Sequence, residues 1–164
     1  MSRCFIISLM VVLSSFTGCL SGGTDDIFYG EDIDPPIAVD EFVLENEKGE
    51  YVAMSDYEGK VVVVAFLFTR CPDICPVVSA NLAFIAEELR ERDVNEVQIL
   101  TVTVDPWTDN SSVLDNYATT RQLNWPHLTG SLEDLEPVWM NFDVGLSTYD
   151  TDVDGDGVAD GFDS

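Results

Sequence analysis

The stretch Val61-Val62-Val63-Val64-Ala65-Phe66-Leu67-Phe68-Thr69-Arg70-Cys71-Pro72-Asp73-Ile74-Cys75-Pro76 decides how this chain folds. Its first eight residues are an unbroken β-branched and aromatic run, the pattern of a central strand buried on both faces. Two cysteines with three residues between them follow. From about Val77 to Arg92 the apolar residues Val78, Leu82, Ile85 and Leu89 recur three and four apart, as on one face of a helix. The pair therefore sits where a strand ends and a helix begins, the edge at which open α/β sheets carry their binding sites. A helix N-terminus favours anions, so a thiolate there has a lowered pKa and is nucleophilic or metal-binding. Residues i and i+4 of a helix face the same way, so both sulfurs can meet one soft ion or each other. Soft thiolates select Cu(I) or zinc over hard cations. The plainer alternative is an inert structural disulfide, although such bridges usually close longer loops.

Working outward, Ala38 to Leu44 and Tyr51 to Met54 flank the charged turn Glu45-Asn46-Glu47-Lys48-Gly49-Glu50 and predict a hairpin. Glu96 to Val104 predicts a second buried strand, ended by Asp105-Pro106. Ser111 or Ser112 can cap a helix running to about Arg121. Ser131 with Asp134 can open another towards Phe142, with Pro137 limiting where its first turn lies. Strand alternating with helix predicts an α/β fold, a mostly parallel sheet flanked by helices on both faces.

At 164 residues the chain holds one domain with a short appendage. Its 31 acidic and 7 basic residues give a net charge of −24, which argues against nucleic acid and against docking on anionic lipid. Divalent cations, basic partners or a salty habitat fit that charge better. The single His127 rules out a cage of several histidines from this chain alone. Residues 1–18 read as an export signal: Arg3, the apolar stretch Cys4 to Phe16, then Thr17-Gly18 before Cys19. This resembles a bacterial lipobox with Phe16 in place of the usual Leu, and makes Cys19 the lipidated first residue. An uncleaved N-terminal anchor and a plain secretory signal are the alternatives. All three place the domain on the extracytoplasmic side of the membrane. Residues 19–35 are a small, acidic tether, and the folded domain occupies residues 36–146.

The string Thr69-Arg70-Cys71-Pro72-Asp73-Ile74-Cys75-Pro76, after a buried strand and Gly59-Lys60, resembles the Sco/SenC family of thioredoxin-like copper proteins. Val102-Thr103-Val104-Asp105-Pro106 and His127-Leu128-Thr129-Gly130 look like further landmarks of that family. The resemblance implies a thioredoxin-like fold and a membrane-anchored, extracytoplasmic protein binding copper through Cys71 and Cys75, which would also be a redox couple. Such proteins help deliver copper to the CuA centre of cytochrome c oxidase, or keep that centre's cysteines reduced. The family's third copper ligand is a histidine in a downstream loop, and no histidine follows Asp143 here. His127 matches a different family position, where a core or surface histidine is the ordinary reading. The family's last strands and final helix have no counterpart before Ser164, which implies an incomplete domain with its C-terminal strands missing.

Residues 147–164 carry a separate signal. Asp152, Asp154, Asp156, the Val158 carbonyl and Asp163 fit the D-x-D-x-D-G-x5-E calcium loop, with Asp163 in the place of Glu. Flanking helices are not evident, so the stretch is closer to the isolated loops of dockerin-type repeats, and a solvated Asp/Gly linker is the alternative. For the whole chain, the leading function is a copper metallochaperone. The second is a thiol–disulfide oxidoreductase using Cys71 and Cys75, although such enzymes usually have C-x-x-C. A calcium-dependent surface module is a third.

Overall fold

The computed structural model describes residues 33–145. The elements from Ala38 onward are β1 (Val43–Asn46), β2 (Tyr51–Ala53), a 3-10 turn (Met54–Tyr57), β3 (Val61–Leu67), α1 (Ile74–Glu91), β4 (Val97–Thr103), α2 (Ser111–Arg121), β5 (His127–Thr129) and α3 (Leu132–Asn141). The hairpin forms because Gly49 takes a left-handed φ of 78° that a side chain would resist. Asn46 Oδ1 also accepts from the amides of Lys48 and Glu50, both at 2.9 Å.

The five strands lie in the order β2-β1-β5-β4-β3. β3, β4 and β5 are parallel, whereas β1 pairs antiparallel with both β2 and β5. The sheet is thus mixed: the strand–helix alternation governs one half and the hairpin the other. β3 departs from expectation. It pairs along its whole length with β4, Val61 opposite Val97 through Leu67 opposite Thr103, but among the described residues nothing pairs with its other side. Among the described residues it is therefore an edge strand, half-buried from Val62 to Phe66 and with Val61 62% exposed.

Side chains alternate across the strands, so each face of the sheet has its own core. Leu100, Val102 and Leu128 pack with Leu44 and Val52 against Leu135, Val138 and Trp139 of α3. On the other face Ile99 packs with Leu82 of α1, Tyr117 and Ala118 of α2, and Trp125. Both indoles are satisfied: Trp139 Nε1 donates to the Thr103 carbonyl at 3.0 Å and Trp125 Nε1 to Thr103's neighbour-but-one Thr101 Oγ1 at 2.8 Å.

Two helix starts differ from the sequence reading and the third agrees with it. α1 begins at Ile74, three residues early, because Pro76 falls in the first turn, where its missing N–H has no intrahelical partner to lose. Asn110, not Ser111 or Ser112, caps α2, its side chain accepting from the Val113 amide at 3.1 Å. Ser131 and Asp134 form the expected capping box of α3, and Pro137 lies inside that helix. Pro137 has no N–H to offer the carbonyl four residues back, that of Glu133, which is an exposed residue.

Candidate metal and redox site

The two cysteines meet at the carboxyl end of β3. Cys75 is the second residue of α1, while Cys71 precedes that helix in the turn. Their approach thus comes from the turn and not from i, i+4 spacing on one helix. The Cys71 amide donates to the Phe68 carbonyl at 3.3 Å, which folds the chain back, and the Cys75 amide then donates to Cys71 Sγ at 3.4 Å. Both cysteines are unbridged, the residues 9% and 4% exposed, packed with Leu67 and against Ala65, Phe68 and Val78.

That arrangement makes the thiols unequal. Burial raises the pKa of Cys71, but hydrogen bonds from the Cys75 thiol and from the backbones of Cys75, Asp73 and Ile74 outweigh it and leave the group below its ordinary value. Burial also pushes Cys75 up. A hydrogen bond with the Phe68 backbone opposes this, but the Cys71 hydrogen bond, the Cys71 charge and the Asp109 carboxylate act with burial, and Cys75 ends well above an ordinary thiol. A more acidic thiol beside a less acidic one, in a largely apolar seat, can attack an electrophile through its thiolate or take up a soft cation with release of protons.

Beneath this turn lie groups whose role the sequence reading did not see. Asp109 accepts from the Thr69 amide at 3.0 Å, from the Thr69 hydroxyl, and from Thr103 Oγ1 at 2.7 Å. Asp105 Oδ2 accepts from Arg70 Nε at 3.1 Å and Nη2 at 2.9 Å. In the sequence, Asp105-Pro106 marks the end of a strand and a landmark of the family resemblance, with no role assigned to its carboxylate. The usable signal was a second aspartate, Asp109, four residues further on, at the end of a strand parallel to the cysteine-bearing one.

His127 is not gathered with the cysteines. Among the described residues no three His, Cys, Asp or Glu side chains form a group able to hold a metal. The imidazole is 1% exposed, stacked on Trp125 at 5.7 Å and edge-on to Tyr117 at 6.3 Å, and neither ring nitrogen has a hydrogen-bond partner among the described residues. It is the core histidine of the plainer reading. Burial lowers its pKa from 6.5 to about 4, against a small opposing pull from Glu47. The unfolded chain therefore binds a proton between those values that the folded chain does not. Stability is full above about pH 6.5, falls as pH drops through that window and levels off below about pH 4, a loss of roughly 3 kcal/mol. Urea unfolding of wild type and His127→Leu at pH 7 and pH 4.5 checks this: the difference between the two proteins should shift towards the variant at the lower pH.

Cys19 and the residues Asp152, Asp154, Asp156, Val158 and Asp163 lie outside the described residues. No helix of the described residues is long and apolar enough to cross a membrane.

A mixed α/β domain with helices on both faces of the sheet and a dithiol at a strand–helix junction defines the thioredoxin-like class. Comparison with known proteins narrows it. A family model described as SCO1/SenC matches residues 31–161. A curated relative, the SCO1 protein homolog of Bacillus subtilis, is 31% identical over 106 residues, covering 62% of this chain and 54% of its own. The solution structure of apo Sco1 from Thermus thermophilus is 36% identical with a TM-score of 0.64, over 74% of this chain and 69% of that one. The crystal structure of yeast Sco1 with copper bound is 28% identical with a TM-score of 0.63, over 68% and 62%. The chain belongs to the SCO1/SenC family. It spans about half the length of the curated relatives it matches.

Proposed function

We propose that this protein is a copper metallochaperone: Cys71 and Cys75 bind Cu(I) as thiolates and pass it on by ligand exchange, the acceptor being the CuA site of a cytochrome c oxidase subunit. The observation that carries the reading is the reduced, buried pair with a Cys75 N–H···Sγ contact of 3.4 Å, at a strand–helix junction. The donor set suits the cargo, since two sulfurs and an apolar seat favour a soft monovalent ion over hard divalent ones. Copper in the yeast Sco1 structure supports the same assignment. In this reading the domain works on the extracytoplasmic face of the membrane, tethered through a lipid on Cys19, and the loop from Asp152 to Asp163 binds calcium.

Transfer is the direct test. The copper-loaded chain is mixed with the apo, reduced CuA domain of an oxidase subunit, and the purple absorption of the binuclear centre is followed. Formation of the centre at a rate well above that from free Cu(I) at the same free-ion level is expected; equal rates would remove the chaperone role.

The inequality of the two thiols favours one other reading, thiol–disulfide exchange. The Cys71 thiolate would attack a partner disulfide and expel a partner thiolate, and Cys75 would then lose its proton and resolve the mixed disulfide, leaving Cys71–Cys75 oxidised and the partner reduced. Keeping the acceptor's cysteines reduced in this way is compatible with delivering copper to them.

A further inference from the structure

Copper binding by two thiols leaves two buried carboxylates without a role. Asp109 is fully buried, and the three donors to its side chain are an amide and two hydroxyls, with no cationic group among them. Burying a carboxylate on those terms is costly, so what its hydrogen bonds hold in place is informative. Two of the three come from Thr69, two residues before Cys71, and the third from Thr103 at the end of β4. Asp109 is itself fixed: its amide donates to the Asp105 carbonyl at 2.9 Å, and its carbonyl accepts from Thr129 Oγ1 at 2.7 Å. Asp105, also fully buried, takes the guanidinium of Arg70 on one oxygen, while its Oδ1 has no partner among the described residues. Thr69 and Arg70 are thus each tied to one end of the Asp105–Asp109 turn, and the next residue is Cys71.

We propose that Asp109 is a positioning residue for the thiol pair: gripping Thr69 by both amide and hydroxyl, it sets where Cys71 stands relative to Cys75, and Asp105 secures Arg70 beside it. The competing account is a strand-end anchor that contributes stability alone. This inference rests on the proposed thiol chemistry, but not on copper, because the same placement governs how readily the two sulfurs join.

Three variants of the full chain separate the accounts. Asp109→Asn keeps the grip, since its carbonyl oxygen can accept from the Thr69 amide and Thr103 hydroxyl while its NH2 donates to Thr69 Oγ1. Asp109→Ala removes it, and Thr69→Val removes one hydrogen bond from a half-buried side chain and folds even if Asp109→Ala does not. Two quantities are read beside the thermal midpoint: Cu(I) affinity against a competing chelator, and the dithiothreitol equilibrium of the Cys71–Cys75 couple. Asp109→Ala is expected to lose at least tenfold in each, the redox shift being roughly 30 mV per tenfold. Thr69→Val should lose about threefold or more, and Asp109→Asn should stay within about threefold of wild type. A lowered thermal midpoint with both quantities unchanged in every folded variant would overturn the proposal. Wild type that forms the disulfide but takes up no Cu(I) would instead defeat the copper reading, and the redox equilibrium would still decide the role of Asp109.

Discussion

Serine at either cysteine is expected to abolish tight Cu(I) binding, with the apparent affinity falling about a thousandfold or more, ~4 kcal/mol. A serine hydroxyl is a hard, neutral donor and does not replace a thiolate for a soft ion. The two losses are unequal. Cys75→Ser leaves the Cys71 sulfur still accepting the amide of residue 75 and facing the backbones of Asp73 and Ile74, which favour its thiolate. Cys71→Ser leaves only the sulfur whose burial holds it protonated, so this variant binds more weakly at neutral pH. In wild type the Cys75 proton must leave on loading. Uptake therefore releases protons, and affinity rises with pH through the ordinary thiol range and beyond it. Chelator competition at pH 7 and pH 8.5 measures both effects; equal affinities for the two variants, or no pH dependence in wild type, would contradict the assigned inequality.

The largest effect on folding is expected at β5. Leu128→Ala should cost about 3–5 kcal/mol and lower the thermal midpoint by roughly 10 °C. β5 joins the two halves of the sheet: Leu128 lies opposite Asn46 of the antiparallel hairpin on one side and Val102 of the parallel strands on the other. Its side chain is fully buried beside Leu44, Leu100 and Leu135. The cavity left by truncation has strands on both sides and α3 above, so little can collapse into it. Val61→Ala, on the open side of the sheet, should cost under about 1 kcal/mol. Urea denaturation of the two variants in parallel checks the contrast, and similar losses would mean that β3 is far more enclosed than the described residues indicate.

What could be read beforehand was local. The valine run became β3, the three- and four-residue spacing became α1, and the Ser131–Asp134 box opened α3 where expected. Hidden features depend on partners distant in sequence. That β3 lies at the edge of the described strands follows from which strands flank it, and an apolar run looks the same at an edge as at the centre. β5 is three residues long, too short to display a period, although it is the strand on which the sheet closes. The cysteine pair was legible because its chemistry is confined to five residues. Its support was not: Thr69 and Asp109 are 40 residues apart, and Arg70 and Asp105 are 35 apart. His127 shows the same limit in a milder form: its place in the sequence left core and surface both open, and the rings of Trp125 and Tyr117 place it in the core.

The central claim is that Cys71 and Cys75 together hold copper, and X-ray absorption at the copper edge tests it most directly. The reduced chain is loaded anaerobically with one equivalent of Cu(I). The account predicts a first shell containing two sulfur scatterers in wild type, falling to one in each cysteine variant that retains any metal. A shell of nitrogen and oxygen alone, or one unchanged by Cys71→Ser and Cys75→Ser, would contradict it.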